Sequence, residues 1–201
     1  MPRTAAIVLA GGRSRRMGRD KAALVLRGRS LLQRALDAVG AVVDEIVVVG
    51  APGRALPEVR SARTLRRVDD PVEGEGPLAG LLAGLASTEA ERCVVVGCDQ
   101  PALAPALLRL LLDGLDGARS VAPLVEGRAQ PLVSAVRREI RGELEAAFAG
   151  GERALRALTQ IDGAALLDEA TWRTADPDAR SFVGVNTPED LARAEAMLAA
   201  P

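Results

Sequence analysis

The amino-acid sequence predicts a three-layer α/β fold with a mainly parallel central sheet. Short apolar runs alternate along the chain with longer segments of helical periodicity, the pattern of repeated strand–helix–strand units. Unusual residues follow three of the apolar runs, namely Gly11-Gly12, Gly50 and Cys98-Asp99. Because ligands bind beyond the carboxyl ends of the strands in such sheets, these three loops are expected to meet in one site.

The same patterns place the individual elements. Strands are expected at 5–10, 45–50, 92–97, 120–124 and 130–136, with residues 125–128 as a candidate hairpin turn. Helices are expected at 30–39, 78–87, 105–113, 138–149, 152–158 and 187–198. The last helix should be capped by Thr187, with Pro188 at its first position and Asp190 at its third. No repeat or linker interrupts the chain, so residues 1–201 are expected to form a single domain.

Composition restricts the possible chemistry. The chain contains no histidine, which excludes Ser-His-Asp triads, Cys-His pairs and histidine-bound metals. The two cysteines, Cys93 and Cys98, lie in or beside an apolar run and are expected to be reduced and buried. Catalysis would therefore depend on carboxylates, Lys, Arg, backbone amides and a metal ion held by oxygen.

The charge balance argues against nucleic acid partners, and the short apolar runs argue against a membrane-spanning segment. Lys and Arg total 26 against 27 for Asp and Glu, whereas polynucleotide binding requires an excess of basic residues. The scarcity of aromatic residues also argues against base stacking. No apolar stretch approaches about 18 residues and the N-terminus lacks a signal-like apolar region, so a cytoplasmic location is expected.

The first motif is the glycine-rich segment LAGGRSRRMGRDK at 9–21. Its backbone could approach a nucleotide closely and offer amide N–H groups to phosphate oxygens, while Arg16 and Lys21 supply positive charge. An ordinary solvated basic loop is the alternative interpretation. The segment is not a Walker A loop, because its spacing differs from that motif.

The second motif combines Asp70 with GPLAG at 76–80. A carboxylate can accept hydrogen bonds from both N1–H and the exocyclic amine of guanine. The segment GEGPLA also matches a loosened dinucleotide-binding pattern, but it does not follow the first strand and is better interpreted as a turn. Asp70 could instead be a simple turn residue before Pro71, and Gly80 and Gly84 could be packing glycines on a helix.

The third motif is CDQP at 98–101, directly after a predicted strand. One carboxylate together with substrate phosphates suits Mg²⁺, so Asp99 is the candidate metal ligand. An aspartate after a strand can also be an ordinary turn former.

Together these segments resemble the molybdenum cofactor guanylyltransferase family, MobA. The family pattern of LAGG with RMG-x-DK, then D…GPLAG, then CD-x-P occurs here in the same order. Its closing motif appears as GVNTPEDL at 184–191. The combination of LAGG and GPLAG favours the guanylyl branch over the related cytidylyl branch, which typically has LAAG.

The resemblance implies a Rossmann-like nucleotidyltransferase fold and a set of site residues. Nucleotide contacts would come from Leu9, Ala10, Gly11, Gly12, Lys21, Asp70, Gly76, Pro77, Leu78 and Asp99. The catalytic residues would be Lys21, Asp99 and Arg16, with Asp99 holding Mg²⁺. Gln130 and Asn186 would lie toward the second substrate. Two positions depart from the family, since Gly50 and Gly184 stand where asparagines are usual.

The implied reaction joins GTP to molybdopterin and releases pyrophosphate, with cofactor-inserting chaperones as possible partners. The attacking group would be a phosphate monoester, which is already anionic, so positioning and charge neutralisation suffice without a general base. Two alternatives stay open. The protein could be a cytidylyl- or sugar-phosphate nucleotidyltransferase of the same superfamily, or a nucleotide-binding module without turnover.

Overall fold

The computed structural model describes residues 2–11, 21–70 and 74–199. The strands within these ranges are β1 (Thr4–Leu9), β2 (Val25–Leu26), β3 (Arg29–Ser30), β4 (Glu45–Gly50), β5 (Thr64–Asp69), β6 (Arg92–Gly97), β7 (Ser120–Val125), β8 (Arg128–Ala129), β9 (Val133–Arg137) and β10 (Ala164–Leu167). The α-helices are α1 (Leu31–Gly40), α2 (Pro77–Ala86), α3 (Pro105–Gly114), α4 (Arg141–Ala149), α5 (Glu169–Trp172) and α6 (Pro188–Ala199). None of these helices is both long and apolar enough to cross a membrane.

Eight strands form one central sheet in the order β10-β7-β9-β6-β1-β4-β5, with β8 paired to β7. Strands β6, β1, β4 and β5 are mutually parallel, and β10 is parallel to β7. Strand β9 runs antiparallel to both of its neighbours, β6 and β7. The expected mainly parallel sheet is confirmed, with β9 reversed within it and the short β8 antiparallel to β7.

Two apolar layers cover the sheet, one on each face. Alternate residues of β1 belong to different layers, because successive side chains of a strand point to opposite faces. Ala6 and Val8 pack in the layer that contains the buried leucines of α1 and α3. Ala5 and Ile7 pack in the layer that contains those of α2 and α4. The three-layer α/β architecture predicted from the sequence is therefore confirmed.

Helix α2 lies close to the sheet because two of its residues lack side chains. A Cβ added at Gly84 would lie 2.5 Å from Cγ2 of Ile7, and one at Gly80 would lie 3.3 Å from Cδ2 of Leu9. These distances leave no room for a methyl group at Gly84. Both glycines are therefore packing glycines, as one interpretation of the sequence had it.

The final helix begins as its sequence predicts. The Thr187 hydroxyl accepts a hydrogen bond from the Asp190 amide at 3.2 Å, and the Asp190 carboxylate accepts one from the Thr187 amide at 3.0 Å. This reciprocal capping box satisfies amides that the helix itself leaves without partners. Ala194 of α6 then packs against Leu26 and Leu31, which joins the end of the chain to the β2–β3 hairpin.

Several elements differ from the sequence-based expectation. Residues 155–159 form a 3₁₀ helix where an α-helix was predicted at 152–158, and α4 is preceded by a 3₁₀ turn at 138–140. The predicted strand at 130–136 begins at Val133, because Pro131 has no backbone N–H to donate to a ladder. Glu126 and Gly127 have φ values of 49° and 74°, so the tight turn pairs β7 with the short β8 instead.

Several observed elements were not predicted, among them the short β2 and β3 as well as β5, β10 and α5. Strand β5 is almost fully exposed along its length and has no apolar run. Strand β10 and helix α5 lie in a region that carried no interpretable pattern. Helix α5 nevertheless contributes the fully buried Trp172, whose indole N–H donates to the Leu124 carbonyl at 2.9 Å.

The close packing at Gly84 yields a stability prediction. Replacing Gly84 with Ala should lower the free energy of unfolding by about 1–3 kcal/mol, because the buried, β-branched Ile7 has little freedom to move away. Urea unfolding measures this difference. The matched control is Gly142→Ala in α4, where nothing lies within 4 Å of the added methyl group. That variant should be as stable as the parent or up to about 1 kcal/mol more stable. Equal stability of the two variants would contradict the packing argument.

Candidate functional site

Four parallel strands end at the same edge of the sheet and bring distant residues together. Asp99 lies just beyond β6, Gly11 beyond β1, Ala51 beyond β4 and Asp70 beyond β5. The neighbouring strand order of β6-β1-β4-β5 makes these four positions adjacent. The expected convergence of strand ends is present, with the unpredicted β5 as a fourth contributor.

Backbone hydrogen bonds fix the spacing of these strand ends. The Cys98 amide donates to the Leu9 carbonyl at 3.0 Å, and the Asp70 amide donates to the Gly50 carbonyl at 2.8 Å. Between them, the Ala10 amide donates to the Val49 carbonyl at 2.8 Å. The loops that follow therefore start from backbone positions that the sheet itself holds in register.

A cavity of about 290 Å³ opens between these loops and the start of α2. Its lining residues are Leu9, Gly11, Val49, Ala51, Pro52, Asp70, Gly74, Gly76, Pro77 and Gly80. The volume is close to the lower limit of about 300 Å³ for small-molecule sites. Most of the wall is apolar or glycine, and the Asp70 carboxylate supplies a negative charge.

Asp70 lies against the glycine face of α2. Its Oδ2 atom is 3.7 Å from the position that a Cβ on Gly80 would take. Gly74 and Gly76 have φ values of 92° and 87°, in the left-handed region that glycine adopts without strain. The segment GEGPLA is thus a turn into α2 that follows the edge strand β5. It does not follow β1, as a dinucleotide-binding fingerprint would.

A second group of polar side chains lies at the same end of the sheet, beyond β6. The Lys21 ammonium donates to the Asp99 carboxylate at 3.1 Å and to the Asn186 side-chain oxygen at 2.7 Å. The side chains of Lys21 and Asp99 are 20% and 21% exposed, so the pair is shielded but reachable. The Val185 amide donates to the Asp99 carbonyl at 2.9 Å, which brings the start of α6 to the end of β6.

Gly97 determines where the Asp99 carboxylate lies. A Cβ on Gly97 would come within 2.6 Å of Asp99 Oδ1 and 2.9 Å of Leu132. The Gly97 amide also donates to the Gln100 side-chain oxygen at 3.2 Å, which closes the turn after β6. The carboxylate therefore folds back over the strand end, toward Lys21, in space that any other residue at position 97 would fill.

The donor set at Asp99 fits a magnesium ion that is shared with a substrate. Within residues 2–11, 21–70 and 74–199, no cluster of three or more His, Cys, Asp or Glu side chains could hold a metal by itself. Mg²⁺ is commonly bound by one or two carboxylates together with substrate phosphates and water. A single shielded carboxylate beside a lysine matches that mode of binding.

The structure separates some of the sequence-predicted site residues from these two groups. Leu78 is fully buried and packs with the sheet-facing side of α2, so its side chain does not line the cavity. Gln130 bonds within its own hairpin, with its amide donating to the Pro123 carbonyl at 2.8 Å. Its assignment to a second substrate stays a prediction. Gly12 and Arg16 lie outside the described residues.

Other lining residues were not singled out from the sequence. Val49, Ala51 and Pro52 form the wall contributed by β4 and the loop after it. The apolar run that ends at Gly50 could have indicated them, because the loops that follow neighbouring parallel strands lie next to one another at the same edge of the sheet. The apolar character of these residues gave no hint of ligand contact.

Comparisons with known proteins agree with this geometry. The family model of the MobA-like NTP transferase domain matches residues 6–171. A probable molybdenum cofactor guanylyltransferase from Chloroflexus aggregans is 35% identical, over 96% of this chain and 93% of the relative. A protein of the same description from Mycobacterium avium is 39% identical, over 93% of this chain and 92% of the relative.

Solved structures show the same fold. The crystal structure of molybdopterin-guanine dinucleotide biosynthesis protein A from Archaeoglobus fulgidus superposes with a TM-score of 0.79 at 26% identity, covering 97% of this chain and 98% of that one. A 2-C-methyl-D-erythritol 4-phosphate cytidylyltransferase from Thermus thermophilus, at 20% identity over 96% and 98% of the two chains, has a TM-score of 0.73 and shares the fold. The family match over most of the chain, together with these relatives, shows that the chain belongs to the MobA-like NTP transferase family.

Proposed function

We propose that this protein transfers GMP from GTP to molybdopterin, forming the molybdopterin guanine dinucleotide cofactor and releasing pyrophosphate. Family membership and the guanylyltransferase relatives support this reaction. The observation that carries the proposal is the placement of two groups at one sheet edge. A small cavity with the Asp70 carboxylate and the Lys21–Asp99–Asn186 cluster both lie beyond the carboxyl ends of the neighbouring strands β6, β1, β4 and β5.

The cavity is proposed as the guanine site. Its glycine and apolar walls can cover the faces of a purine, and Asp70 can accept from the N1–H and the exocyclic amine on one edge of guanine. Adenine and cytosine lack that adjacent pair of donors. Leu9, Gly11, Gly76 and Pro77 would contact the nucleoside from the surrounding wall.

Lys21 and Asp99 are proposed to bind the triphosphate. A phosphate oxygen can take the place of the Asp99 carboxylate as the acceptor for Lys21, which frees that carboxylate for Mg²⁺. The ion would neutralise charge on the reacting phosphates. Arg16, Ala10 and Gly12, in the same glycine-rich segment, are proposed to add charge and backbone amides.

The transfer itself needs no proton acceptor from the protein. An oxygen of the molybdopterin phosphate bonds to the α-phosphorus of GTP, and the bond from that phosphorus to the bridging oxygen breaks. Pyrophosphate leaves with the electron pair. The protein's share is to align the two phosphates and to hold Lys21 near the accumulating charge. The reaction therefore needs no histidine as a general base, and the chain contains none.

Asn186 and Gln130 are proposed to face the second substrate. Asn186 is exposed beside Lys21, so it can contact an incoming phosphate as well as the lysine. We also propose that residues 1–201 act as one domain, because a single sheet contains all the described strands except β2 and β3. A cytoplasmic location is proposed as well. Cofactor-inserting chaperones are the proposed recipients of the product.

Nucleotide preference is the direct test of this reaction. Purified protein should release pyrophosphate from GTP in a manner that depends on both added molybdopterin and Mg²⁺. CTP and ATP should be poor substrates in the same assay, because neither base offers Asp70 the two adjacent donors of guanine. A preference for CTP would contradict the guanylyl assignment. Tight GTP binding without pyrophosphate release in the presence of any acceptor substrate would contradict the assignment as an enzyme.

Replacing Asp99 with Asn tests its role with the phosphates. The change keeps the shape of the side chain but removes its charge, and kcat should fall by at least about 100-fold. The matched control is Asp116→Asn. Asp116 likewise pairs with a basic side chain, but its partner is Arg92, at the opposite end of β6 from Asp99. Normal turnover by the Asp99 variant, measured by pyrophosphate release, would exclude the proposed role.

Replacing Asp70 with Asn tests the guanine site. One acceptor of the carboxylate becomes a donor that faces a donor of the base, so KM for GTP should rise by about 10- to 100-fold. Discrimination against ATP should shrink in parallel. The neighbouring Asp69→Asn is the control, because that carboxylate is half-exposed and pairs with Arg67 at 3.4 Å. Equal effects of the two changes on KM would contradict base recognition by Asp70.

A further inference from the structure

A distant segment caps the helix that forms one wall of the cavity. The Leu78 amide, in the first turn of α2, donates to the Arg153 carbonyl at 3.1 Å. The N-cap residue Gly76 provides no side-chain bond, and the first amides of a helix need acceptors from elsewhere. A Cβ on Gly76 would lie 2.6 Å from the same Arg153 oxygen. The cavity wall and the backbone at Arg153 are therefore in direct contact.

The Arg153 side chain binds the same wall a second time. Its Nε donates to the carboxylate of Glu75, which lies between the two lining residues Gly74 and Gly76. Its Nη1 donates to the Phe148 carbonyl at 2.7 Å, and the guanidinium lies 4.1 Å from the centre of the Phe148 ring. One side chain thus joins the cavity wall to the end of α4.

The segment around Arg153 is itself held in place. One oxygen of the Glu152 carboxylate accepts from the amides of Ala154 at 2.9 Å and Arg153 at 2.8 Å, and the other accepts from Arg156 at 2.6 Å. These bonds, the Ala154 amide first among them, lower the pKa of Glu152 to about 2. The carboxylate that organises this loop is therefore charged at every physiological pH.

The wall needs such support because it is built from glycines. Gly74 and Gly76 have φ values that other residues rarely adopt, and glycine has more conformational freedom to lose than any other residue. A segment rich in glycine therefore has many conformations available to it unless other residues restrict it. Arg153 contacts this segment through its backbone carbonyl and its guanidinium, and both contacts restrict the conformations that residues 74–76 can adopt.

We propose that Arg153 is a positioning residue for the nucleotide base. It holds residues 74–76 and the first turn of α2 at the distance from Asp70 that a bound guanine requires. This inference rests on the proposed function, since it takes the cavity to be the nucleotide site. Arg153 acts through Glu75 and Leu78, so its loss should affect nucleotide binding and leave the transfer step itself largely unchanged.

A double-mutant cycle tests this inference. Arg153→Gln and Glu75→Gln should each raise KM for GTP by about tenfold while kcat stays within about twofold of the parent. The double variant should be no worse than either single variant, because both changes remove the same interaction. Arg141→Gln is the matched control. It also removes an arginine that pairs with a glutamate, but its partner is Glu145 in α4, at 2.7 Å, rather than a residue of the 74–78 segment. Its KM should match the parent.

Hydrogen exchange provides a readout that does not depend on turnover. In nucleotide-free protein, the Leu78 amide should exchange at least about tenfold faster in Arg153→Gln than in the parent or in Arg141→Gln. A lower melting temperature with unchanged KM for GTP would assign Arg153 a merely structural role and overturn the inference. If the parent protein does not turn over GTP, the proposed function fails. The exchange rate then decides the inference alone, and an unchanged rate would overturn it.

Discussion

The burial of β1 on both faces and both edges is the constraint on which the site depends. The strand pairs with β4 on one side and β6 on the other, so Leu9 is fixed opposite Val49 and Gly97 at once. A shift of one residue would exchange the residues facing the two apolar layers, which neither layer could accommodate. The register is therefore firmly specified, and so is the place where each of the three loops leaves the sheet.

Three glycines allow the close contacts that shape the site around these strand ends. Gly84 lets α2 approach β1, Gly97 leaves space for the Asp99 carboxylate, and Gly76 allows contact with the backbone at Arg153. At each position the space for a side chain is taken by a different neighbour: an aliphatic core residue, the Asp99 carboxylate and a carbonyl oxygen. Close packing thus does the positioning that histidine networks and aromatic walls provide in other sites.

The end of the chain completes the arrangement from the other side. The capping box of Thr187 and Asp190 starts α6, and the packing of Ala194 on Leu26 fixes the helix beside the segment that begins at Lys21. Asn186, just before the helix, therefore meets the Lys21 ammonium. The Lys21 side chain, held between a carboxylate and an amide oxygen, is mostly shielded from solvent, in the position proposed above for binding phosphate oxygens.

The sequence by itself determined the elements whose signals are local. Strands β4 and β6 are continuous apolar runs and α6 has its own cap residues, so their positions could be read directly, as could the motifs around Leu9, Asp70 and Asp99. Only the tertiary structure decided which of these residues meet, and where β5 and Trp172 lie. Strand β5 is an exposed edge with no apolar periodicity, and the buried Trp172 stands in a short helix without a pattern of its own.

The contact of Arg153 with α2 depends on a carbonyl oxygen, which every residue possesses, and on the path of the chain that brings it there. This contact does not require a particular type of residue at position 153, so no pattern in the sequence could reveal it.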